Sequence, residues 1–386
     1  MRVPVYLDYA ATTPVDPLVV AAMTDVLHSQ QLFANPASKT HQYGWQAEQA
    51  IEFSRADLAA AVGAGPSEVI WTSGATESNN LAIQGMMQAA RATFKGERHH
   101  LITSAIEHKA VLDTCFAVAQ ADDVDISILQ PDTHGHIQPQ QVQAALTPQT
   151  RLISLMHVNN ELGTINAIAQ IAQLIAHHPA CLHVDAAQSL GKVAIDFKAL
   201  GVDLMSLSAH KAYGPKGMGV LLATAKARQQ LKPLFFGGRH ELGLRPGTLA
   251  THQIVGMALA ATLASQRFAE DVAQVEKIQR QFCAGLQQLP SVVWHAQQAQ
   301  LRVPHIVNVG FSGIPGEVLL KALSEVAVAS GAACNSVTQQ ASHVLTACGV
   351  SAELAASSLR FSFGRLTSAD DIRRVLEQLQ QVVKSF

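Results

Sequence analysis

Leu204-Met-Ser-Leu-Ser-Ala-His-Lys-Ala-Tyr-Gly-Pro-Lys-Gly-Met-Gly-Val-Leu-Leu-Ala223 reads as two strands joined by a short glycine-rich turn. The runs 204–208 and 219–223 have strand length and content, and Gly214-Pro215 punctuates the link. A lysine at a strand's end, among small residues, sits in a crevice with its amine near a bound ligand. Lysine forms Schiff bases with carbonyl compounds, and desolvation makes its amine nucleophilic. Taken alone, Lys211 reads more simply as a surface lysine in a turn. Gly214-Pro-Lys-Gly-Met-Gly219 also has the spacing of a dinucleotide loop, but it precedes a strand instead of opening a helix, so that reading is rejected.

Upstream, strand-like runs at 69–72, 101–104, 126–129, 152–158 and 181–185 alternate with amphipathic segments at 79–91, 110–120 and 167–178. Strands separated by helices of this size predict a mostly parallel seven-stranded sheet flanked by helices on both faces. Residues 44–62 read as a helix with Ala47, Ile51 and Leu58 on one side. A long helical pattern runs from about 252 to 289, followed by strand 306–310, helix 316–323 and strand-like 326–330. A closing helix starts at Ser368, a good N-cap, with Asp370 and Asp371 in its first turn. The expected class is α/β, with a large domain over 15–255 and a smaller α+β domain over 256–386 that includes residues 1–14.

Two further stretches carry chemistry. His183-Val-Asp-Ala-Ala-Gln188 ends a strand, and a carboxylate there pairs with a protonated pyridine nitrogen; a Schiff-base lysine with such an Asp is the binding pattern of pyridoxal phosphate. Alone, Asp185 reads as an N-cap. Thr72-Ser-Gly-Ala-Thr-Glu-Ser-Asn-Asn80 joins a strand to a helix and exposes backbone N–H groups, which makes either a phosphate cradle or an ordinary capped helix start.

The bulk numbers narrow the classes. The 386 residues carry 27 Lys and Arg against 29 Asp and Glu, a net charge of −2, so no field favours nucleic acid or an anionic membrane. No signal peptide or membrane span is expected. Five scattered cysteines without CxxC spacing point to a reducing, cytoplasmic setting. The 17 histidines show no zinc-site spacing, and no metal is expected.

Tyr6–Pro14, Asn35-Pro36 with His41, Thr72–Leu81, Glu107–Val111, His157–Glu161, His183–Gln188, Ser206–Gly219, Gly247-Thr248, Ser330-Gly-Ala-Ala-Cys334 and Arg360–Gly364 occur in one order. In that order and spacing the chain resembles a group I, NifS/IscS-like cysteine desulfurase of the fold-type I, class V pyridoxal-phosphate enzymes. The resemblance implies pyridoxal 5'-phosphate on Lys211, which also moves protons at the substrate's Cα. It implies Asp185 at the pyridine nitrogen, Gln188 at the phenolic oxygen and His108 on the ring face as acid or base. Ala75, Thr76, Ser208 and His210 would hold the phosphate, with Thr248 arriving from the other subunit of a homodimer. Asn160 and Arg360 would orient L-cysteine. Cys334 would take its sulfur as a persulfide for an acceptor protein serving iron–sulfur cluster assembly, tRNA thiolation or DNA phosphorothioation.

The flanks of Cys334 are small and polar, as suits an accessible thiol, whereas Cys115, Cys181, Cys283 and Cys348 read as packing residues. Three departures stand out: Leu242 and Pro246 where relatives carry a basic residue and Ser, Ala332 in the Cys334 motif, and an end at Phe386 without the extension of scaffold-binding relatives. The competing readings are a selenocysteine lyase, another class V enzyme such as an aminotransferase, and a catalytically retired regulatory homologue.

Overall fold

The computed structural model describes residues 3–290, 292–330 and 341–385. The main sheet has seven strands: β1 (Val69–Thr72), β2 (His99–Ser104), β3 (Val124–Leu129), β4 (Thr150–Met156), β5 (Cys181–Asp185), β6 (Leu204–Ser208) and β7 (Gly219–Ala223). Their order is 1-7-6-5-4-2-3, and β7 alone runs against the others. β7 is antiparallel because a short loop, not a crossover helix, joins it to β6.

Both faces of this sheet are covered, so every strand but β3 is buried at nearly every position. Ile70, Leu101, Leu152 and Leu221 pack with residues of helices Ala75–Thr93 and Lys109–Ala119. Trp71, Ile102, Ile153 and Val220 pack on the other side with helices Gln42–Ala61, Ile168–Ile175 and Thr251–Gln266.

A second, antiparallel sheet contains β8 (Val292–Trp294), β9 (Ile306–Phe311), β10 (Ala329–Ser330) and β11 (Ser358–Ser362), in the order 10-11-9-8. Its core joins Phe311, Phe361 and Phe363 to Phe282 and to the inner residues of helix Ala369–Lys384. That helix starts as expected: Ser368 Oγ accepts from the Asp371 N–H at 3.1 Å, and Asp371 Oδ2 accepts from the Ser368 N–H at 2.9 Å. The expected strand 326–330 is two pieces, since Val326–Ala327 pairs in parallel with Val5–Tyr6 before Ala329–Ser330 joins β11.

The long helix expected from 252 to 289 is also two, Thr251–Gln266 and Phe268–Leu286, meeting at Arg267 with φ −95° and ψ 5°. Neither Pro nor Gly marks the break. Its cause is tertiary, because Ile254, Met257 and Ala261 pack into the main core while Val275, Ile278 and Phe282 pack into the second.

Asp16 ties this junction together. Its Oδ1 caps helix Pro17–His28 by accepting from the Leu18 N–H at 2.9 Å. Its Oδ2 accepts from Arg267 Nη1 at 3.0 Å and from Arg365 Nη1 at 2.7 Å, and Arg365 Nη2 reaches Asp271 at 2.7 Å. Asp16 is buried, so deleting it removes the helix cap and the carboxylate that Arg267 and one arm of Arg365 share. Asp16→Ala is expected to cost about 3 kcal/mol of unfolding free energy, measured by urea denaturation; a loss indistinguishable from zero would show that these contacts hold nothing.

Candidate active site

Parallel strands end on one side of the sheet, and there a cavity of about 690 Å³ opens. Lys211 lines it, carried on the turn Ala209–Lys211 that follows β6. This turn has no slack. Tyr213 takes φ 61°, its N–H donates to Thr13 Oγ1 at 2.8 Å, and a Cβ on Gly214 would lie 2.9 Å from the Ala209 carbonyl oxygen.

Asp185 lines the cavity at the end of β5, buried. Its Oδ2 accepts from Asn79 Nδ2 at 2.8 Å and its Oδ1 from the Ala187 N–H at 2.9 Å. Both oxygens are therefore aimed by fixed donors, one on helix Ala75–Thr93 and one on the Asp's own loop. The His183 ring sits below, between Ser154 Oγ at 2.8 Å and Ser206 Oγ at 2.9 Å. A polar row thus runs across β4, β5 and β6 under the site, inside an otherwise apolar layer.

Helix Ala75–Thr93 begins at Gly74 with no side-chain cap among the described residues, which leaves its first N–H groups for a ligand. Gly74, Ala75 and Thr76 line the cavity, and with them the positive end of the helix dipole. A Cβ on Gly219 would sit 2.5 Å from Gly74 Cα, so β7 can lie against this turn only because residue 219 is glycine. Ser208 and His210 line the same region. His210 Nδ1 lies 3.1 Å from Thr12 Oγ1, and burial with Lys211 nearby pushes the ring down to about 4, so it is neutral at pH 7. An uncapped helix start at one end and an aimed carboxylate at the other suit a flat, basic heteroaromatic ring bearing a phosphate.

His108 caps helix Lys109–Ala119, its Nδ1 accepting from the Ala110 N–H at 3.1 Å. Burial and then Lys211 lower its pKa, so the neutral ring presents Nε2–H to the cavity it lines. Arg360 comes from β11, the second sheet, and completes the cavity wall. Its Nη2 donates to Asp8 at 2.8 Å and its Nη1 to the Asn160 carbonyl at 2.9 Å. Asn160 Oδ1 is buried with no partner among the described residues, an acceptor left for a ligand. Gln188 Nε2 donates to the Ala10 carbonyl at 2.7 Å, and both residues line the cavity.

The structure therefore brings together Lys211, Asp185, His108, Gln188, Ala75, Thr76, Ser208, His210, Asn160 and Arg360. It does not bring Thr248, which is exposed and outside the cavity of its own chain. Cys334 lies outside the described residues. The other four cysteines are buried, and burial pushes the thiols of Cys115, Cys283 and Cys348 up to about 12. Sequence reasoning missed Asn79, Asp8 and Thr12. All three stood inside motifs already noted, but nothing in their spacing said what they would touch.

The family model described as aminotransferase class-V matches residues 5–375. The chain belongs to that family. Within it, the chain is 47% identical over its whole length, and over 94% of the relative, to a Pseudomonas aeruginosa (strain UCBPP-PA14) protein named cysteine desulfurase IscS. A solved NifS-like protein matches 99% of this chain and 100% of its own, with a TM-score of 0.90 and 29% identity. A structure titled SspA in complex with cysteine matches 94% of this chain and 99% of its own, at a TM-score of 0.81 and 37% identity. This class-V chain is thus of the NifS/IscS-like kind, on the fold expected for it.

The buried histidines of this class-V chain make its stability depend on pH. Burial pushes His183 down to about 4, and His157 likewise to about 4, from the 6.5 of an exposed ring. Between those values the unfolded chain holds more protons, so the contribution is complete above pH 6.5 and is lost as pH falls towards 4. Each ring is expected to add about 1.4 kcal/mol per pH unit to the loss. Urea denaturation at several pH values reads this slope, and His183→Asn should make it shallower. An unchanged slope in that variant would mean the His183 ring is already protonated in the fold.

Proposed function

We propose that this chain is a pyridoxal 5'-phosphate-dependent cysteine desulfurase. It removes sulfur from L-cysteine, releases L-alanine and holds the sulfur as a persulfide on Cys334 for an acceptor protein. The observation that carries the reading is the meeting of Lys211, Asp185, His108 and Arg360 around one cavity with an uncapped helix start at its end. The relatives named cysteine desulfurase, and the similar fold titled as a complex with cysteine, point to the same chemistry.

When bound, the cofactor supplies an electron sink for the substrate's α-carbon. The chain's residues do the rest. Ala75, Thr76, Ser208 and His210 hold the phosphate, Asp185 keeps a proton on the ring nitrogen, and Gln188 donates to the phenolic oxygen. Arg360 takes the substrate carboxylate, and Asn160 turns its free acceptor to the substrate. Lys211 moves the α-proton, and His108 stands at the ring face as the acid or base beside it. The Cys334 thiolate attacks the substrate sulfur. An S–S bond forms, the Cβ–S bond breaks, and its electron pair takes up a proton at Cβ to give alanine. No described cysteine competes, since buried neutral thiols are poor nucleophiles.

The working unit in this reading is a homodimer in the cytoplasm, with residues 15–255 holding the cofactor and 256–386, plus 1–14, carrying Cys334. Exposed aromatics support the dimer: Phe33, Tyr43, Trp45 and Phe235, with Phe236 90% exposed. Thr248 and the exposed, left-handed Leu242 (φ 60°) lie in the neighbouring stretch, where Arg55 grips Glu241 through two hydrogen bonds of 2.7 and 3.0 Å. A second copy would cover this face and bring its Thr248 to the phosphate. Phe236→Asp is expected to turn a dimer into a monomer by light scattering; a wild type that is already monomeric excludes this arrangement.

Alanine and sulfide release from L-cysteine, with added pyridoxal phosphate and a reductant, tests the activity. Wild type should be active, and Lys211→Ala should lose at least about a hundredfold with its bound cofactor. Cys334→Ala should lose sulfur transfer yet keep the cofactor colour. Sulfide release that survives in Cys334→Ala would replace persulfide chemistry with plain elimination.

A further inference from the structure

A second lysine stands behind the cofactor site. Lys192 is buried on the turn after β5, and its Nζ donates to Gln188 Oε1. Gln188 Nε2 donates in turn to the Ala10 carbonyl at 2.7 Å. A carboxamide has one oxygen and two N–H groups. Here the oxygen is taken by Lys192 and one N–H by Ala10, so the amide has no reason to flip. Its remaining N–H is the donor left for the main cavity, which Gln188 and Ala10 line and Lys192 does not.

Lys192 is an expensive residue to keep in this place. It shares a void of about 20 Å³ with Lys211, and among the described residues the one carboxylate lining that void, Asp271, is engaged by Arg365 at 2.7 Å. The other charged or titratable groups around it are Lys211, Arg360, His210 and His305, with the phenols of Tyr9 and Tyr213. None of these offers a negative charge. Burial, followed by Lys211 and Arg360, pushes the Lys192 amine down to about 7. A buried amine with no counter-ion among the described residues lowers stability where a methionine would pack at less cost. The amine keeps N–H groups in both protonation states, so it can hold Gln188 on either side of neutrality.

We propose that Lys192 is a positioning residue: it fixes the Gln188 amide so that an N–H, not the oxygen, meets the cofactor's phenolic oxygen. The inference rests on the cofactor reading above. Lys192 does not line the cavity that would hold substrate and cofactor.

The test follows the absorbance of the cofactor bound at Lys211 in holoenzyme as pH is varied. Without a fixed donor the phenolic oxygen becomes more basic. Lys192→Met is therefore expected to raise the titration midpoint by about one pH unit, the worth of one hydrogen bond to a charged acceptor. Lys192→Gln keeps a donor for Gln188 Oε1 and should titrate close to wild type. In a Gln188→Leu background, Lys192→Met should add no further shift. A Lys192→Met midpoint equal to wild type overturns the proposal, and so does a Lys192→Gln shift as large as that of Lys192→Met. Lys192→Ala serves in place of the methionine variant if that chain does not fold. A wild-type chain that takes up no cofactor overturns the cofactor reading and this proposal with it; the other adverse outcomes overturn this proposal alone.

Discussion

A sheet covered by helices on both faces opens to ligands at the ends of its strands. Six of the seven strands run one way, so the ends of β1, β2, β4, β5 and β6 open on one side, and the antiparallel β7 begins there. This constraint collects residues from 73 to 217 around one cavity. It also sets what each must be. In β5, Leu182 and Val184 pack in one layer while Cys181 packs in the other, so a slip of one residue would turn Asp185 away from Asn79.

Charge around the cavity is rationed by burial. Lys211 and Arg360 bring positive charge, and His108, His157, His183 and His210 are held towards the neutral form, chiefly by desolvation. Glu107, next to His108, is fully enclosed and pushed up to about 8, so it is mostly protonated at neutral pH. Ser104 Oγ donates to its Oε1 at 2.5 Å and the Met156 N–H at 3.0 Å, and the charge on Asp185 adds to the upward shift. One carboxyl thereby keeps its proton near another that is aimed by two N–H donors.

The main sheet was legible because its strands are short, apolar and spaced by helices of crossover length. The site lysine and aspartate were legible because each ends such a strand. Two kinds of feature were not. The break at Arg267 follows from two separate cores, and no local residue type announces it. Asn79 was read as part of a helix start, yet its work is done on Asp185, 106 positions away in sequence. Lys192 shows the same blindness, since a lysine after a glycine reads as a surface turn until burial and its contact with Gln188 are known. Propensity and periodicity report what a residue does to its own segment; these residues act across segments.

The two cores meet at the cavity, and segments of both stand beside it. Ser330, at the end of β10, lines the cavity, and helix His343–Ala347 begins beside Glu161 of the same lining. There Ser342 Oγ donates to the Glu161 carboxyl and His343 Nε2 lies 3.0 Å from the Glu107 carbonyl oxygen. Both anchors therefore stand beside residues that neighbour Asn160 and His108. β10 pairs with β11 at Arg360, while Val344 and Leu345 pack into the main core, so both cores fix this side of the cavity.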